Sequence, residues 1–462
     1  MKKLLIILIL LVFPFLPIFS QEVRETDPAV VQKLEQWKDL KFGLLMHWGP
    51  YSQWGIVESW SICSEDEPWC TRKMKNYVDY CREYEKLKTT FNPARFDPEK
   101  WAKAASYAGM KYVVFTTKHH DGFCMFDTKE TNYKITDSAC PFHTRQKADV
   151  TREIFDSFRK QGFWTGAYFS KPDWHNNDYW AEEWATPDRN VNYSIKKYPE
   201  RWRNFREFTY RQINELVSNY GKVDILWLDG GWIDGKNKDQ DVDIPAIAAN
   251  ARKHQPGMLV VDRAVGGRYE NYRTPEQSIP LKPLDYPWET CMTMATSWSY
   301  VPGDIYKPAG KLIGMLVDIV AKGGNFLLNI GPSPEGELAD TAYARLKEIG
   351  DWMKINGEAI YNTRPIDPYK TGKTCYTSLP DGTIYVLYLA DENEQKIPAM
   401  VNVTGFQPSD GSVVSLLGTE GKLKWNREMN GFTISVPSKY QRNPPCRYVW
   451  VFKVVMNNRD SG

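Results

Sequence analysis

Short apolar segments alternate with amphipathic helical segments over most of this sequence, and the alternation limits the folds that it can adopt. Strand-like runs cover 41–48, 111–117, 163–170, 223–231, 257–263 and 325–331. Helical patterns separate them, for example 97–109, which begins with Asp97-Pro98 and ends with Gly109. Apolar strands separated by helices predict a parallel sheet that is covered on both faces. Six or seven such units over about 340 residues predict a (β/α)8-like (TIM) barrel rather than an open sheet.

The pattern changes near residue 365. Segment 373–390 has an Asp-Gly turn between strand-like runs, and segment 414–436 repeats the arrangement with Glu-Gly and Asn-Gly. We therefore predict a barrel domain over residues 21–365 and a C-terminal antiparallel β-sandwich over residues 366–462.

The first twenty residues have the composition of a cleavable secretory signal peptide. Two lysines precede an apolar stretch, and compact residues lie before Gln21. Pro14 and Pro17, and the lack of a long second apolar run, argue against a retained membrane helix. We expect signal peptide 1–20 and an exported protein, periplasmic or secreted, without stable membrane insertion. Its eight cysteines then occupy a disulfide-permissive compartment, although their pairing does not follow from the sequence.

Charge and composition exclude several classes of function. A net charge of +2 provides no basic stripe, which argues against nucleic acid as the main partner. No dinucleotide-binding or P-loop glycine pattern follows the first strand, and no cofactor is expected. Eighteen Trp and twenty-six Tyr suit stacking against sugar faces, although most aromatic residues in any protein are core residues. The sequence makes no prediction of oligomeric state.

Polar residues follow the predicted strands. In a parallel barrel, catalytic groups project from the carboxyl ends of the strands. The residues at those ends are His47, His119, His120, Tyr168, Asp229 and Arg263. Taken singly, Asp229 before Gly230 could be a turn residue, and His47 could be a satisfied core histidine. Their coincidence at one end of the barrel favours a single site.

The paired histidines also raise the question of a metal site. His119 and His120 precede Asp121, but neighbouring residues on an extended strand point to opposite faces, so one ion would rarely take both. The usual His-x-His and His-Glu-x-x-His spacings are absent. Neutral imidazoles that bind sugar hydroxyls fit the pattern better, and we expect no metal.

Five segments together resemble the α-L-fucosidases of glycoside hydrolase family 29, over roughly residues 30–365. They are "KFGLLMHWGPYS", "KYVVFTTKHHDGF", "DILWLDGG", "WETC" and "GGNFLLNIGPSPEGEL" with the following "IGDWMKINGEAIYNT". The resemblance implies the barrel and sandwich, a retaining mechanism and no metal. It also implies Asp229 as the nucleophile and a set of substrate-binding residues. These are His47, His119, His120, Tyr168, Trp227 and Arg263.

Two further binding positions match the family less cleanly. In "VESWS" a serine separates Glu58 from Trp60, where the family has adjacent Glu and Trp. "SWSY" around Trp298 replaces the more usual "SWGY". We expect Glu58, Trp60 and Trp298 to contact the sugar, with altered loop geometry near Trp298.

The general acid is open between two glutamates. Glu289 is expected at the end of the sixth strand, so the barrel rule favours it. In some family members the acid lies in a Thr-x-Glu context after the fifth-strand arginine, and that context matches Glu276. Glu276 is the preferred assignment, and Glu289 would otherwise form the floor of the site. Glu270 is interpreted as a solvated loop charge.

The resemblance therefore predicts a retaining exo-α-L-fucosidase. Such an enzyme would release terminal α-L-fucose from fucosylated oligosaccharides or glycans by double displacement. Two alternatives stay open, namely a retaining barrel glycosidase for a galactose-type sugar and a non-catalytic glycan-binding barrel.

Overall fold

The computed structural model describes residues 24–63, 70, 72 and 74–457, so the predicted signal peptide 1–20 lies outside the described residues. The first part of the chain alternates helices and parallel strands. Its helices are α1 Pro28–Leu40, α2 Tyr77–Glu85, α3 Pro98–Tyr107, α4 Val150–Lys160, α5 Pro199–Asn219, α6 Ile244–His254, α7 Ala309–Ala321 and α8 Asp340–Asn356. Its strands are β1 Phe42–Met46, β2 Tyr112–Lys118, β3 Trp164–Ser170, β4 Ile225–Asp229, β5 Leu259–Asp262, β6 Glu289–Thr293 and β7 Asn325–Asn329.

The seven strands form one parallel sheet in the order β5-β4-β3-β2-β1-β7-β6. Isolated bridges connect the two outer strands through one segment, because Glu270 pairs with Val261 before β5 ends while Glu276 pairs with Cys291 in β6. The sheet therefore curls around a central axis, and the predicted (β/α)8-like barrel is confirmed.

Side-chain alternation along the strands determines which residues reach the interior of the barrel. Leu45, Tyr168 and Trp227 belong to one buried cluster, whereas their neighbours Leu44 and Leu228 pack in the larger cluster with the helices. Because successive side chains on a strand point to opposite faces, residues two positions beyond Leu45 and Trp227 face the same interior. Those residues are His47 and Asp229.

Local sequence signals account for the helix starts. Asp97 accepts a hydrogen bond from the backbone N–H of Lys100 at 3.2 Å, and Pro98 occupies the first turn of α3. Asp149 caps α4 in the same way through the N–H of Arg152, at 3.3 Å. Each cap satisfies a backbone donor that would otherwise lack a partner, an effect worth about 1 kcal/mol.

The C-terminal part of the chain is antiparallel. It contains β8 Arg364–Thr371, β9 Thr374–Ser378, β10 Ile384–Leu389, β11 Met400–Thr404, β12 Val413–Leu416, β13 Lys424–Glu428, β14 Gly431–Ser435, α9 Ser438–Arg442 and β15 Val449–Val455. A five-stranded sheet and a three-stranded sheet enclose one apolar core that includes Val386, Val401 and Phe432, which confirms the β-sandwich. The sandwich packs on the barrel helices, where Trp352 Nε1 donates to the carbonyl of Val449 at 2.9 Å. The boundary at residue 365 stays a prediction.

Within the described residues, every helix is too short or too polar to span a membrane.

Candidate active site

A cavity of about 750 Å³ opens at the carboxyl ends of the barrel strands. Eleven of the twelve residues that the sequence predicted for the site line it, while Glu289 does not. The eleven are His47, Glu58, Trp60, His119, His120, Tyr168, Trp227, Asp229, Arg263, Glu276 and Trp298.

Asp229 is the last residue of β4 and lies at the centre of a hydrogen-bonded group. Its Oδ2 accepts a hydrogen bond from the hydroxyl of Tyr168 at 2.7 Å, and its Oδ1 accepts one from Nη1 of Arg263 at 3.0 Å. Nε2 of His120 lies 3.8 Å from Oδ2. Burial alone would raise the pKa of Asp229, but Arg263, His120 and Tyr168 outweigh it and hold that pKa well below its usual range. The carboxylate is therefore ionised.

Three neutral imidazoles lie beside Asp229. Burial lowers the pKa of His47 to about 4 and that of His120 to about 4, and it holds the pKa of His119 well below its usual range. Nδ1 of His47 is 2.8 Å from Oδ1 of Asn329, and Nδ1 of His119 is 2.5 Å from the hydroxyl of Ser59. Uncharged rings of this kind are suited to hydrogen-bonding sugar hydroxyls.

The expectation that His119 and His120 point apart is wrong. Strand β2 ends at Lys118, and the chain then turns, with the N–H of Gly122 donating to the carbonyl of His119 at 3.0 Å. Off the strand, the alternation of faces no longer applies, and the two ring centroids lie 4.3 Å apart. Ligand atoms of His119, His120 and Asp229 all lie within 4.8 Å of one another. The guanidinium of Arg263 already lies against Asp229, and its charge opposes a second cation there.

The two acid candidates lie in different surroundings. Glu276 lines the cavity, has a side chain that is 43% exposed, and accepts a hydrogen bond from Nη2 of Arg263. Glu289 is fully buried, and it accepts hydrogen bonds from the hydroxyl of Tyr112 at 2.6 Å and from Nε1 of Trp227 at 3.3 Å. Burial raises the pKa of Glu289 to about 7. It lies beneath the cavity floor that Trp227 forms.

The position expected for Glu289 is also wrong, because it begins β6 instead of ending it. Prolines at 280, 283 and 287 lack the N–H group that a sheet ladder needs, so the regular strand starts only after Pro287. Because Glu289 begins its strand, its backbone lies at the opposite end of the barrel from the open face.

Glu58 is a third carboxyl group at the cavity. It is 4% exposed, and its Oε2 has no hydrogen-bond partner among the described residues. Burial raises its pKa to about 7, and the nearby Glu276 and Asp229 add to the rise. The loop that carries Trp298 is fixed close by, since the hydroxyl of Ser299 donates to the carbonyl of Ile56 at 2.6 Å. Ser299, the second serine in "SWSY", thus connects two loops of the cavity wall.

Comparisons with known proteins identify the family to which the chain belongs. The family model described as alpha-L-fucosidase matches residues 20–358, and the model described as alpha-L-fucosidase C-terminal domain matches residues 368–455. The chain belongs to the α-L-fucosidase family.

Relatives and solved structures of the same kind cover nearly the whole chain. Tissue alpha-L-fucosidase of Mus musculus is 29% identical over 449 residues, 92% of each chain. Plasma alpha-L-fucosidase of Homo sapiens is 28% identical, covering 91% of this chain and 89% of its own length. Alpha-L-fucosidase isoenzyme 1 from Paenibacillus thiaminolyticus superimposes with a TM-score of 0.76 at 28% identity, over 93% of this chain and 100% of its own.

One further structure bears on the chemistry. A family 29 α-L-fucosidase from Bacteroides thetaiotaomicron, 26% identical with a TM-score of 0.72 over 94% of this chain and 98% of its own, holds a trapped covalent intermediate. The present chain is accordingly a glycoside hydrolase of the α-L-fucosidase family.

Sequence reasoning about this fucosidase missed several residues of the cavity and its support. Trp232 and Arg189 line one wall, where the guanidinium of Arg189 lies 4.7 Å from the ring centroid of Trp60 and 5.5 Å from that of Trp232. Trp232 follows Asp229 by three residues, a spacing that the strand-end rule could have included. Ser59 and Asn329 lie outside the cavity, and each contacts one of its histidines.

Proposed function

We propose that the cavity binds the terminal α-L-fucose of fucosylated oligosaccharides or glycans, with Asp229 as the nucleophile. The observation that carries this proposal is the contact between the ionised Asp229 and Arg263 at the open end of the barrel. Attack of an Asp229 oxygen on the anomeric carbon breaks the glycosidic bond and forms a covalent β-fucosyl-enzyme. Water then cleaves that ester and releases fucose in the α configuration.

Glu276 serves as the acid and base in this proposal. Retaining glycosidases keep their two carboxyl groups about 5–5.5 Å apart, closer than inverting enzymes do. Arg263 contacts both Asp229 and Glu276, which supports a close pair. To protonate the leaving oxygen, Glu276 must leave Arg263, and its partly exposed side chain has room to do so. Glu289 lacks access to the cavity and is assigned to the floor.

The remaining lining residues bind and position the sugar. His47, His119 and His120 would bind hydroxyl groups, and the rings of Trp60 and Trp298 would cover apolar parts of fucose such as its methyl group. Export to the periplasm or the medium, by signal peptide 1–20, is part of the same proposal.

The test is incubation with a panel of defined fucosylated oligosaccharides, with free fucose and its first-formed anomer followed by NMR. We expect release of terminal fucose as the α anomer. Nitrophenyl α-L-fucoside and the α- and β-galactosides are run in parallel, with Asp229→Asn as the inactive control. Faster turnover of a galactoside would instead identify a galactose-type glycosidase, and binding of fucosylated glycans without any turnover would identify a glycan-binding protein.

A further inference from the structure

We propose that Asn329 and Ser59 hold His47 and His119 in opposite tautomers, so that the cavity offers one imidazole acceptor and one imidazole donor. This inference rests on the proposed fucose site. Neither Asn329 nor Ser59 lines the cavity, so each is a positioning residue that acts through a histidine.

The tautomer of His47 follows from the orientation of the Asn329 side chain. Nδ2 of Asn329 lies 2.6 Å from the carbonyl oxygen of Trp298, and only the amide nitrogen can donate to a carbonyl. Oδ1 of Asn329 must therefore face Nδ1 of His47, 2.8 Å away. An amide oxygen only accepts, so Nδ1 of His47 carries the proton. In the neutral ring, Nε2 is then left with a lone pair.

The tautomer of His119 follows from the single proton of a serine hydroxyl. The oxygen of Ser59 accepts a hydrogen bond from the backbone N–H of Asp121 at 3.0 Å. Ser59 is fully buried, and among the described residues Nδ1 of His119, at 2.5 Å, is the one acceptor for its hydroxyl proton. A proton on that Nδ1 would leave the buried hydroxyl without an acceptor. Nδ1 of His119 therefore accepts, and Nε2 carries the proton.

Both Nε2 atoms are available to a ligand. His47 and His119 line the cavity, and within the described part of the chain neither Nε2 has a protein hydrogen-bond partner. Burial keeps both rings neutral, because it lowers the pKa of His47 to about 4 and that of His119 well below its usual range. The tautomer, rather than the charge, thus decides whether each ring presents a hydrogen-bond donor or an acceptor at Nε2.

An acceptor and a donor impose opposite directions on the hydroxyls that they bind. A hydroxyl at His47 must donate its proton, whereas a hydroxyl at His119 must accept one. Fluorine in place of a hydroxyl cannot donate, so it would lose the contact with His47. If the two histidines bind adjacent hydroxyls of one sugar ring, one hydroxyl donates to His47 and its neighbour accepts from His119. His120 differs, since its Nδ1 has no hydrogen-bond partner among the described residues, and its tautomer is not fixed in this way.

The test reads the tautomers directly in the wild-type enzyme without substrate. The protein has six histidines, so long-range 1H–15N spectra of enzyme labelled with 15N-histidine resolve each ring. His47→Gln and His119→Gln assign the two sets of signals. At neutral pH we expect His47 protonated at Nδ1 and His119 protonated at Nε2. The same tautomer in both rings, or a cationic ring at either position, would overturn the proposal.

Variants separate positioning from folding. Ser59→Ala removes the hydroxyl, and we expect His119 to show a mixture of tautomers. We also expect kcat/KM to fall about tenfold, the effect of losing one hydrogen bond in the transition state. Ser59→Thr retains the hydroxyl and should restore the wild-type His119 signals. Unchanged His119 signals in Ser59→Ala would overturn the role of Ser59. Failure of the proposed function is distinct, because it would appear as absent fucose release whatever the tautomers.

Discussion

Nη1 of Arg263 donates a 3.0 Å hydrogen bond to Oδ1 of Asp229, and this contact fixes the charge at the centre of the cavity. Each group is about one-sixth exposed, since the side chains retain 16% and 15% of their accessible surface. Such a pair is costly to break, because removal of one partner leaves the other charge poorly compensated. The pair therefore accounts for the ionised carboxylate of Asp229, and loss of Asp229 should destabilise the folded protein.

Replacement of Asp229 by alanine should lower turnover of an aryl fucoside by about a thousandfold or more, because it removes the carboxylate that is proposed to form the covalent intermediate. Added azide should restore part of the rate and give the inverted β-fucosyl azide, identified by NMR. Circular dichroism on the same sample checks that the variant is folded. Near-wild-type rates in Asp229→Ala would exclude the mechanism proposed above.

The acid should be revealed by its dependence on the leaving group. Glu276→Ala should lose far more activity on a natural oligosaccharide than on a dinitrophenyl fucoside, because an activated phenol departs without protonation. Azide should intercept the intermediate and yield α-fucosyl azide.

Glu289→Gln and Glu58→Gln are the matched comparisons for this experiment. Glu289 is buried beneath Trp227, so its variant should change the rates on both substrates by the same factor. Glu58 lines the cavity with a pKa raised to about 7, so its variant tests whether a carboxyl that is partly protonated at neutral pH is the acid instead. A leaving-group effect in either variant, and none in Glu276→Ala, moves the assignment.

Glu289→Gln should also change how stability depends on pH. Burial raises the pKa of Glu289 from 4.5 to about 7, so the folded enzyme keeps this proton over a range in which the unfolded chain has lost it. The free energy of unfolding then falls as pH rises through that range, by about 1.4 kcal/mol per pH unit for this group. Glutamine cannot titrate and should remove that part of the slope.

The measurement is the midpoint of thermal unfolding at pH 5 and at pH 7. We expect the difference in midpoint between variant and wild type to move by a few degrees in favour of the variant at pH 7. One kcal/mol corresponds to roughly 2–4 °C in a domain of 150–250 residues and to less in a longer one. Glu392→Gln, at an exposed position in the C-terminal part, serves as the control. If the unfolding midpoints of wild type and Glu289→Gln change equally between pH 5 and pH 7, the carboxyl of Glu289 is already ionised in the folded enzyme.

Chelators should leave activity unchanged. Arg263 and Tyr168 already occupy the oxygens of Asp229, which is the anionic member of the three-residue group with His119 and His120. Rates on an aryl fucoside before and after EDTA treatment and gel filtration measure this directly. Loss of activity that a divalent ion restores would instead assign these residues to a metal.

The strand-end rule predicted six residues of the cavity, because it depends on periodicity, which is local. Once 223–231 is a strand with Trp227 inside, Asp229 must face the same interior. The rule failed where the strand itself was misjudged. His119 and His120 lie beyond the end of β2, where the chain turns, and the ladder of β6 starts only after Pro287.

Supporting contacts between distant segments could not be predicted in this way. Asn329 meets His47 across 282 positions in the chain, and Ser59 meets His119 across 60. Nothing near either residue in the sequence indicates its partner, since the approach depends on the closure of the whole barrel. The serine between Glu58 and Trp60 was noted only as a departure from the family pattern, although its hydroxyl contacts a cavity histidine.

The isolated bridges that connect β5 and β6 have an evolutionary consequence. Asp229 is anchored in a strand that pairs continuously with β3 and lies beside β5. Glu276 instead lies outside the seven strands, in a segment that pairs along the β6 edge through Arg273 with Trp288 and Glu276 with Cys291. Insertions or deletions around Glu276 can therefore accumulate without disturbing the register that holds Asp229. Under the proposed roles, selection can reshape the side of the site at Glu276, which faces the departing group, while the side at Asp229, which forms the new bond, is inherited unchanged. A lineage with this architecture can diversify in the glycans it trims and still keep one chemistry.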